Sequence, residues 1–181
     1  MSLIARIGCV AVLILAAAWT AACAERGVAP DAVGARAEAA LMTADGQPTG
    51  TVTLTQGPNG VLIAAEVRGL APGPHGFHIH GVGACTPDFS AAGGHYQPGG
   101  EGHGFLEDDG HHAGDLPNIH AGADGIARAD VFTDAVTLDP DAAHSLFDDD
   151  GSAFIVHAKP DSYGADPAAG DRVACGVIER R

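Results

Sequence analysis

Apolar positions in this chain fall in short runs broken by glycine, proline and aspartate, and no charged helical heptads appear. Thr51-Val52-Thr53-Leu54-Thr55 alternates polar and apolar residues, the pattern of a strand with one face buried. Pro58-Asn59-Gly60 follows as a turn, and Val61 to Arg68 then predicts a second strand, so the pair reads as a β-hairpin. Further strands are predicted over 37–43, 76–82, 126–132, 153–158 and 172–178, with Asp124-Gly125 marking another turn. Many short strands at such spacing point to a sandwich or barrel. Between Val82 and about Gly125 the pattern stops, and roughly forty residues rich in Gly, His and Asp show no period. Loops that long inside a compact domain usually carry function.

Composition narrows the picture. With 26 Gly in 181 residues and only 5% aromatics, the chain suits a turn-rich, all-β fold better than a helical bundle. One domain with a short appendage is the expectation for this length. A formal charge of -14 with only nine Lys and Arg excludes a nucleic-acid partner, because neutralising phosphates needs clustered basic side chains. The ten His outnumber the Lys and Arg, and imidazole is the commonest protein metal ligand near neutral pH.

The start of the chain stands apart. Residues 1–22 carry Arg6, an apolar run from Ile7 to Ala18 and then small residues, which is the layout of a secretory signal peptide. That run is short for the roughly 20 residues a bilayer span requires. Thr20-Ala21-Ala22-Cys23 resembles a lipoprotein box, with lipidation of Cys23 after cleavage; Thr20 stands where Leu, Val or Ile is usual. Ala22-Cys23-Ala24 equally suits ordinary signal cleavage. Either way the product is exported to the cell envelope, in the periplasm or at the cell surface, and any membrane contact is through the lipid. Residues 23–36 read as a flexible tether and 37–181 as the folded domain. Export removes Cys9, and Cys23 is acylated or lost, so Cys85 and Cys175 remain as an even pair in an oxidising compartment and imply a disulfide.

The chemistry concentrates on histidine. His78 and His80 stand two apart in a predicted strand, so both rings leave the same face and can reach one ion. An isolated His-X-His is more simply a polar strand face, but the loop beyond adds His95, His103, His112 and Asp115. Nitrogen and carboxylate donors without thiolate suit Zn²⁺ or Cu²⁺. His157 closes the apolar run Phe154-Ile155-Val156, where an unpaired buried ring would be costly.

These residues resemble the copper/zinc superoxide dismutases over nearly all of 37–181. The likeness is carried by Gly76-Phe77-His78-Ile79-His80, Gly94-His95-Tyr96-Gln97-Pro98, His112-Ala113-Gly114-Asp115-Leu116-Pro117-Asn118 and Asp171-Arg172-Val173-Ala174-Cys175-Gly176-Val177-Ile178. It implies a Greek-key β-sandwich, or flattened barrel, of about eight antiparallel strands with a long metal-binding loop. It also implies copper at His78, His80, His95 and His157, and zinc at His95, His103, His112 and Asp115, with His95 bridging. Arg172 matches the family's active-site arginine, Cys85 and Cys175 its disulfide, and Asp161 its carboxylate between the metal sites. The implied activity is dismutation of superoxide to dioxygen and hydrogen peroxide, with Arg172 and His95 as catalytic residues. His75 is expected to be structural, His111 to yield to His112 as ligand, and His120 and His144 to be exposed or locally bonded. The loop from Ala158 to Asp171 is shorter than the family's common form. An exported metal carrier without turnover would need the ligands but not Arg172, and an inactive scaffold would have lost ligands. Monomer and homodimer both remain open.

Overall fold

A computed structural model describes residues 28–181. The expected signal peptide and the expected lipidation at Cys23 lie outside the described residues.

The described chain forms ten strands: β1 Arg36–Met42, β2 Pro48–Gly57, β3 Gly60–Val67, β4 Gly73–His75, β5 Phe77–His80, β6 Ile119–Ala121, β7 Ala127–Thr133, β8 Ala153–His157, β9 Arg172–Val177 and β10 Glu179–Arg180. All pair antiparallel in the order β4-β6-β7-β3-β2-β1-β9-β8-β5, with β10 added beside β1. The two ends of that path, β4 and β5, are separated in sequence only by Gly76, so the sheet nearly closes into a barrel.

Alternation builds the wall of this barrel. On β2, Val52 and Leu54 point inward while Thr51 and Thr53 face solvent; on β3, Val61, Ile63 and Val67 point inward. Gly57 and Gly60 close the hairpin as partners around Pro58 and Asn59. Gly60 has φ +151°, and a Cβ there would run into the Thr133 carbonyl, so the turn admits no larger residue. Inside, Phe77 and Phe154 stack at 5.1 Å between centroids, packed with Leu41, Leu54, Ile79, Leu116 and Leu146. Gln56 is a buried polar side chain with its hydrogen bonds satisfied. It donates to the Gly60 carbonyl at 3.1 Å and accepts from Thr137 Oγ1 at 3.0 Å and Leu138 N at 2.7 Å, tying the hairpin to the loop after β7.

Three strands escape the pattern reading. β4, β6 and β10 have three, three and two residues, too few to display a period of two. The strand predicted over 76–82 ends at His80, because Gly81 and Val82 turn to bond the carbonyls of Gly94 and Ala92. Nor is the second half of the expected tether free: Gly34 donates to Gln56 O, Gln56 donates to Ala35 O, and Arg36 already belongs to β1.

What positions the site is β5. All four of its residues are buried, because Phe77 and Ile79 enter the main core while His78 and His80 point to the opposite face, which is covered by the long loop.

Candidate metal centre

β5 ends the strand path, so one of its edges has no strand partner and the long loop completes it. Ile79 donates to Gly114 O and accepts from Tyr96 N, each at 2.9 Å, and Gly114 donates to Tyr96 O at 2.8 Å. This stitching sets His95 opposite His80 and Asp115 opposite His78. A Cβ on Gly114 would strike the Ile79 carbonyl, so glycine is what lets the two backbones meet. His157 comes from the far end of β8, where a register shift after Val156 turns it toward His78.

The fold thereby gathers two sets of ligand atoms, each set lying within 4.8 Å of one another: His78, His80, His95 and His157, and then His95, His103, His112 and Asp115. His95 belongs to both. In the first set the outer nitrogen of each remaining ring is already bonded: His78 Nε2 to Asp161 Oδ2 at 2.6 Å, His80 Nδ1 to Gly93 O at 2.9 Å and His157 Nδ1 to Gly170 O at 3.2 Å. The inner nitrogens, His78 Nδ1, His80 Nε2 and His157 Nε2, are buried and have no hydrogen-bond partner. Three desolvated acceptors aimed at one point would be costly in a protein that binds nothing there, and they suit a cation.

The second set turns on Asp115. Its Oδ1 lies 2.7 Å from His95 Nδ1, 3.0 Å from His103 Nδ1 and 3.4 Å from His112 Nδ1. Its Oδ2 accepts from the backbone N–H groups of Gly104 and His112, each at 3.1 Å. Three imidazoles around one carboxylate oxygen make a four-donor N₃O set, which a tetrahedral zinc site requires. Between the two sets, Asp161 accepts from His78 and also lies 3.1 Å from His103 Nε2.

The protonation states fit metal ligands. Burial, only partly offset by the bond to Gly93, pushes the His80 ring down to about 2, and burial with the field of His78 pushes His157 down to about 4. Burial lowers His78 and His112 as well. For Asp115, burial acts to raise the carboxyl, but the bonds from His95 and Gly104 outweigh it and hold it well below the usual range. Asp161 follows the same balance, with the His78 bond holding it at about 2. The four rings are therefore neutral and both carboxylates ionised at neutral pH.

Arg172 opens β9. Its Nη1 donates to Phe89 O at 2.5 Å and its Nη2 to Gly93 O at 2.7 Å. The Gly93 carbonyl thus holds both the His80 ring and the guanidinium. The segment carrying these carbonyls includes a short 3-10 turn, Phe89–Ala92, capped by Asp88, and the Cys85–Cys175 disulfide, with Cα atoms 5.9 Å apart, pins it to β9. Of the other histidines, His75 bonds the carbonyls of His157 and Ala71, each at 2.7 Å, His111 lies edge-on to Phe105 at 4.7 Å, His144 reaches Ala135 O at 3.2 Å and His120 is exposed. Sequence reading gave no role to Gly93, Asn118 or Tyr163. The Gly93 carbonyl meets His80 of β5 and Arg172 of β9, and Asn118, although within one of the motifs, bonds Asp161 and Tyr163 more than forty positions away, so neither leaves a local signal.

Residues 48–178 match the family described as copper/zinc superoxide dismutase (SODC). The chain belongs to the copper/zinc superoxide dismutase family. It is 45% identical over 148 residues to a superoxide dismutase [Cu-Zn] of Caulobacter vibrioides, covering 79% of this chain and 85% of that protein. A superoxide dismutase [Cu-Zn] of Aquifex aeolicus is 41% identical over 165 residues, covering 89% and 98%. Among solved structures, a superoxide dismutase-like protein from Bacillus subtilis superposes with a TM-score of 0.73 at 36% identity, covering 77% of this chain and 96% of the other. Superoxide dismutase is thus the enzyme class of this chain, and copper and zinc are the metals its histidine clusters could hold.

Proposed function

We propose that the chain dismutates superoxide to dioxygen and hydrogen peroxide at a copper site of His78, His80, His95 and His157, joined through His95 to a zinc site of His95, His103, His112 and Asp115. The observation that carries this reading is the convergence of three buried ring nitrogens without partners on a fourth ring shared with the carboxylate cluster. Copper supplies the one-electron cycling needed to oxidise one superoxide and reduce another, while zinc is redox-inert and supplies fixed charge.

The protein's part is orientation, charge and proton handling. Arg172, half-buried and held by two carbonyls, keeps N–H groups available for a small anion and offsets its charge. His95 has Nδ1 turned to Asp115, so Nε2 is the nitrogen left for the copper side and the one able to hold a proton for the reduced product. Asp161 fixes the tautomers of His78 and His103 by accepting from the Nε2 of each.

A dismutation assay on the metal-loaded domain, with metal analysis, tests the activity: turnover with both metals bound is expected, and a fully loaded protein without turnover would overturn it. His95→Ala tests the bridge. Copper should remain on His78, His80 and His157 while its paramagnetic resonance spectrum loses the influence of zinc, and an unchanged spectrum would remove His95 from the bridging role.

The leader pattern and the Cys85–Cys175 disulfide support action in the cell envelope, an oxidising compartment where the enzyme protects against superoxide. A lipid on Cys23 would hold it at a membrane. Cys23→Ser should then move the protein to the soluble fraction, and identical fractionation of the two forms would favour ordinary signal cleavage.

A further inference from the structure

Asp161 lies in the stretch between β8 and β9, where no strand ladder fixes the backbone. Its carboxylate nevertheless has to meet two rings at once, His78 at 2.6 Å and His103 at 3.1 Å. Asn118 replaces the missing ladder. Its Oδ1 accepts from Asp161 N at 2.7 Å, and its Nδ2 donates to Asp161 O at 3.0 Å, so one side-chain amide pairs with both backbone groups of a single residue. A second loop of bonds closes on the same place: Asn118 N donates to Tyr163 Oη and Tyr163 N donates to Asp161 Oδ1, each at 2.7 Å.

Asn118 is itself well anchored. It immediately precedes β6, whose Ile119 pairs with His75 of β4, and it lies in the segment that also carries Asp115. We propose that Asn118 is a positioning residue whose amide sets the Asp161 carboxylate between the two clusters, and so orients one ligand of each site together. This rests on reading the clusters as the copper and zinc sites. The chemistry is specific to asparagine, because only an amide offers one donor and one acceptor at the spacing of a peptide group. Aspartate has the same shape but brings a charged oxygen against the Asp161 carbonyl, and alanine offers nothing.

The test compares the wild-type domain with Asn118→Ala, Asn118→Asp, Asp161→Asn and Asn118→Ala combined with Asp161→Asn. Zinc affinity is read by competition with a chromophoric chelator, the Cu²⁺ resonance spectrum after copper loading, and folding by melting of the metal-free proteins. Asn118→Ala and Asn118→Asp should each lower zinc affinity by about tenfold and alter the copper spectrum, the size expected when support behind a ligand is lost. In the Asp161→Asn background, removing Asn118 should change zinc affinity by less than about twofold, because the lever it acts through is gone. An equal loss in both backgrounds would show that Asn118 acts on the fold and not through Asp161. Unchanged affinity and spectrum in a folded Asn118→Ala protein would also overturn the inference. Should Asn118→Ala fail to fold, Asn118→Asp carries the same comparison. Wild-type protein that binds no zinc would overturn the metal assignment itself, and the inference with it.

Discussion

A buried imidazole flanked by other imidazoles can lower its energy by staying neutral, and two rings here show how far that goes. His80 is held down to about 2 and His157 to about 4 by burial, whereas an unfolded histidine titrates near its ordinary value of about 6.5. As pH falls below about 6.5, the unfolded chain takes up protons that the folded rings refuse, so the metal-free fold loses stability. The loss is on the order of 2 kcal/mol per ring at about pH 5. Asp161 does not mask it: a carboxylate held at about 2 stabilises the fold above its unfolded value of about 4 and loses that effect only at lower pH. Melting of the metal-free domain at about pH 7 and about pH 5 should therefore show a clear drop at the lower value, and equal melting temperatures would mean that the folded rings accept protons. Arg172 makes the second prediction at this scale. Arg172→Ile keeps bulk but removes the N–H groups, and should cut the dismutation rate roughly tenfold or more with metal content unchanged. Full activity in a correctly metallated variant would place anion docking elsewhere.

At the scale of elements, the site depends on irregular chain being held against regular chain. The segment after β5 that presents the Phe89 and Gly93 carbonyls contains only one short 3-10 turn, and the Cys85–Cys175 bond fastens it to β9, which carries Arg172. The cross-link spans a sequence separation of 90. Closing a loop of that size stabilises the fold by about 4 to 5 kcal/mol in the chain-entropy account. Cys175→Ser should therefore lower the melting temperature and weaken zinc binding, both measurable on the purified domain. Two free thiols found by mass spectrometry in the purified protein would contradict the bond itself.

For the whole molecule the deciding quantity is charge. A chain of formal charge -14 repels a small anion at long range, and local attraction has to come from bound metal, Arg172 and Lys159. The loop from Ala158 to Asp171 does not add a positive rim: Asp161 is buried against two histidines, while exposed Asp166 and Asp171 outnumber exposed Lys159. Salt with a Debye length of about 10 Å at 0.1 M screens distant acids before it screens groups in contact with substrate. Raising ionic strength from about 0.01 to 0.1 M should leave the second-order rate flat or slightly higher, as stopped-flow or pulse radiolysis would read. A steep fall would show that a local positive funnel outweighs the net charge.

Sequence by itself determined what repeats locally. Alternation over β2 and β3, the turn at Pro58-Asn59-Gly60 and the placement of two histidines two apart on one strand are local in sequence, so the all-β class and the pair His78 and His80 were legible. Family resemblance extended that reading to ligands scattered from His95 to His157. Tertiary structure decided the rest. Strands of two or three residues carry no period, and three runs of the strand path are joined by pairings between β3 and β7 and between β1 and β9 that no local pattern encodes. Likewise, the Gly93 carbonyl shared by His80 and Arg172, and the Asn118 amide on the Asp161 backbone, make side-chain-to-backbone hydrogen bonds across 13, 79 and 43 positions of chain. Any residue type has a backbone to offer, so such contacts become visible only once packing has chosen which segments meet.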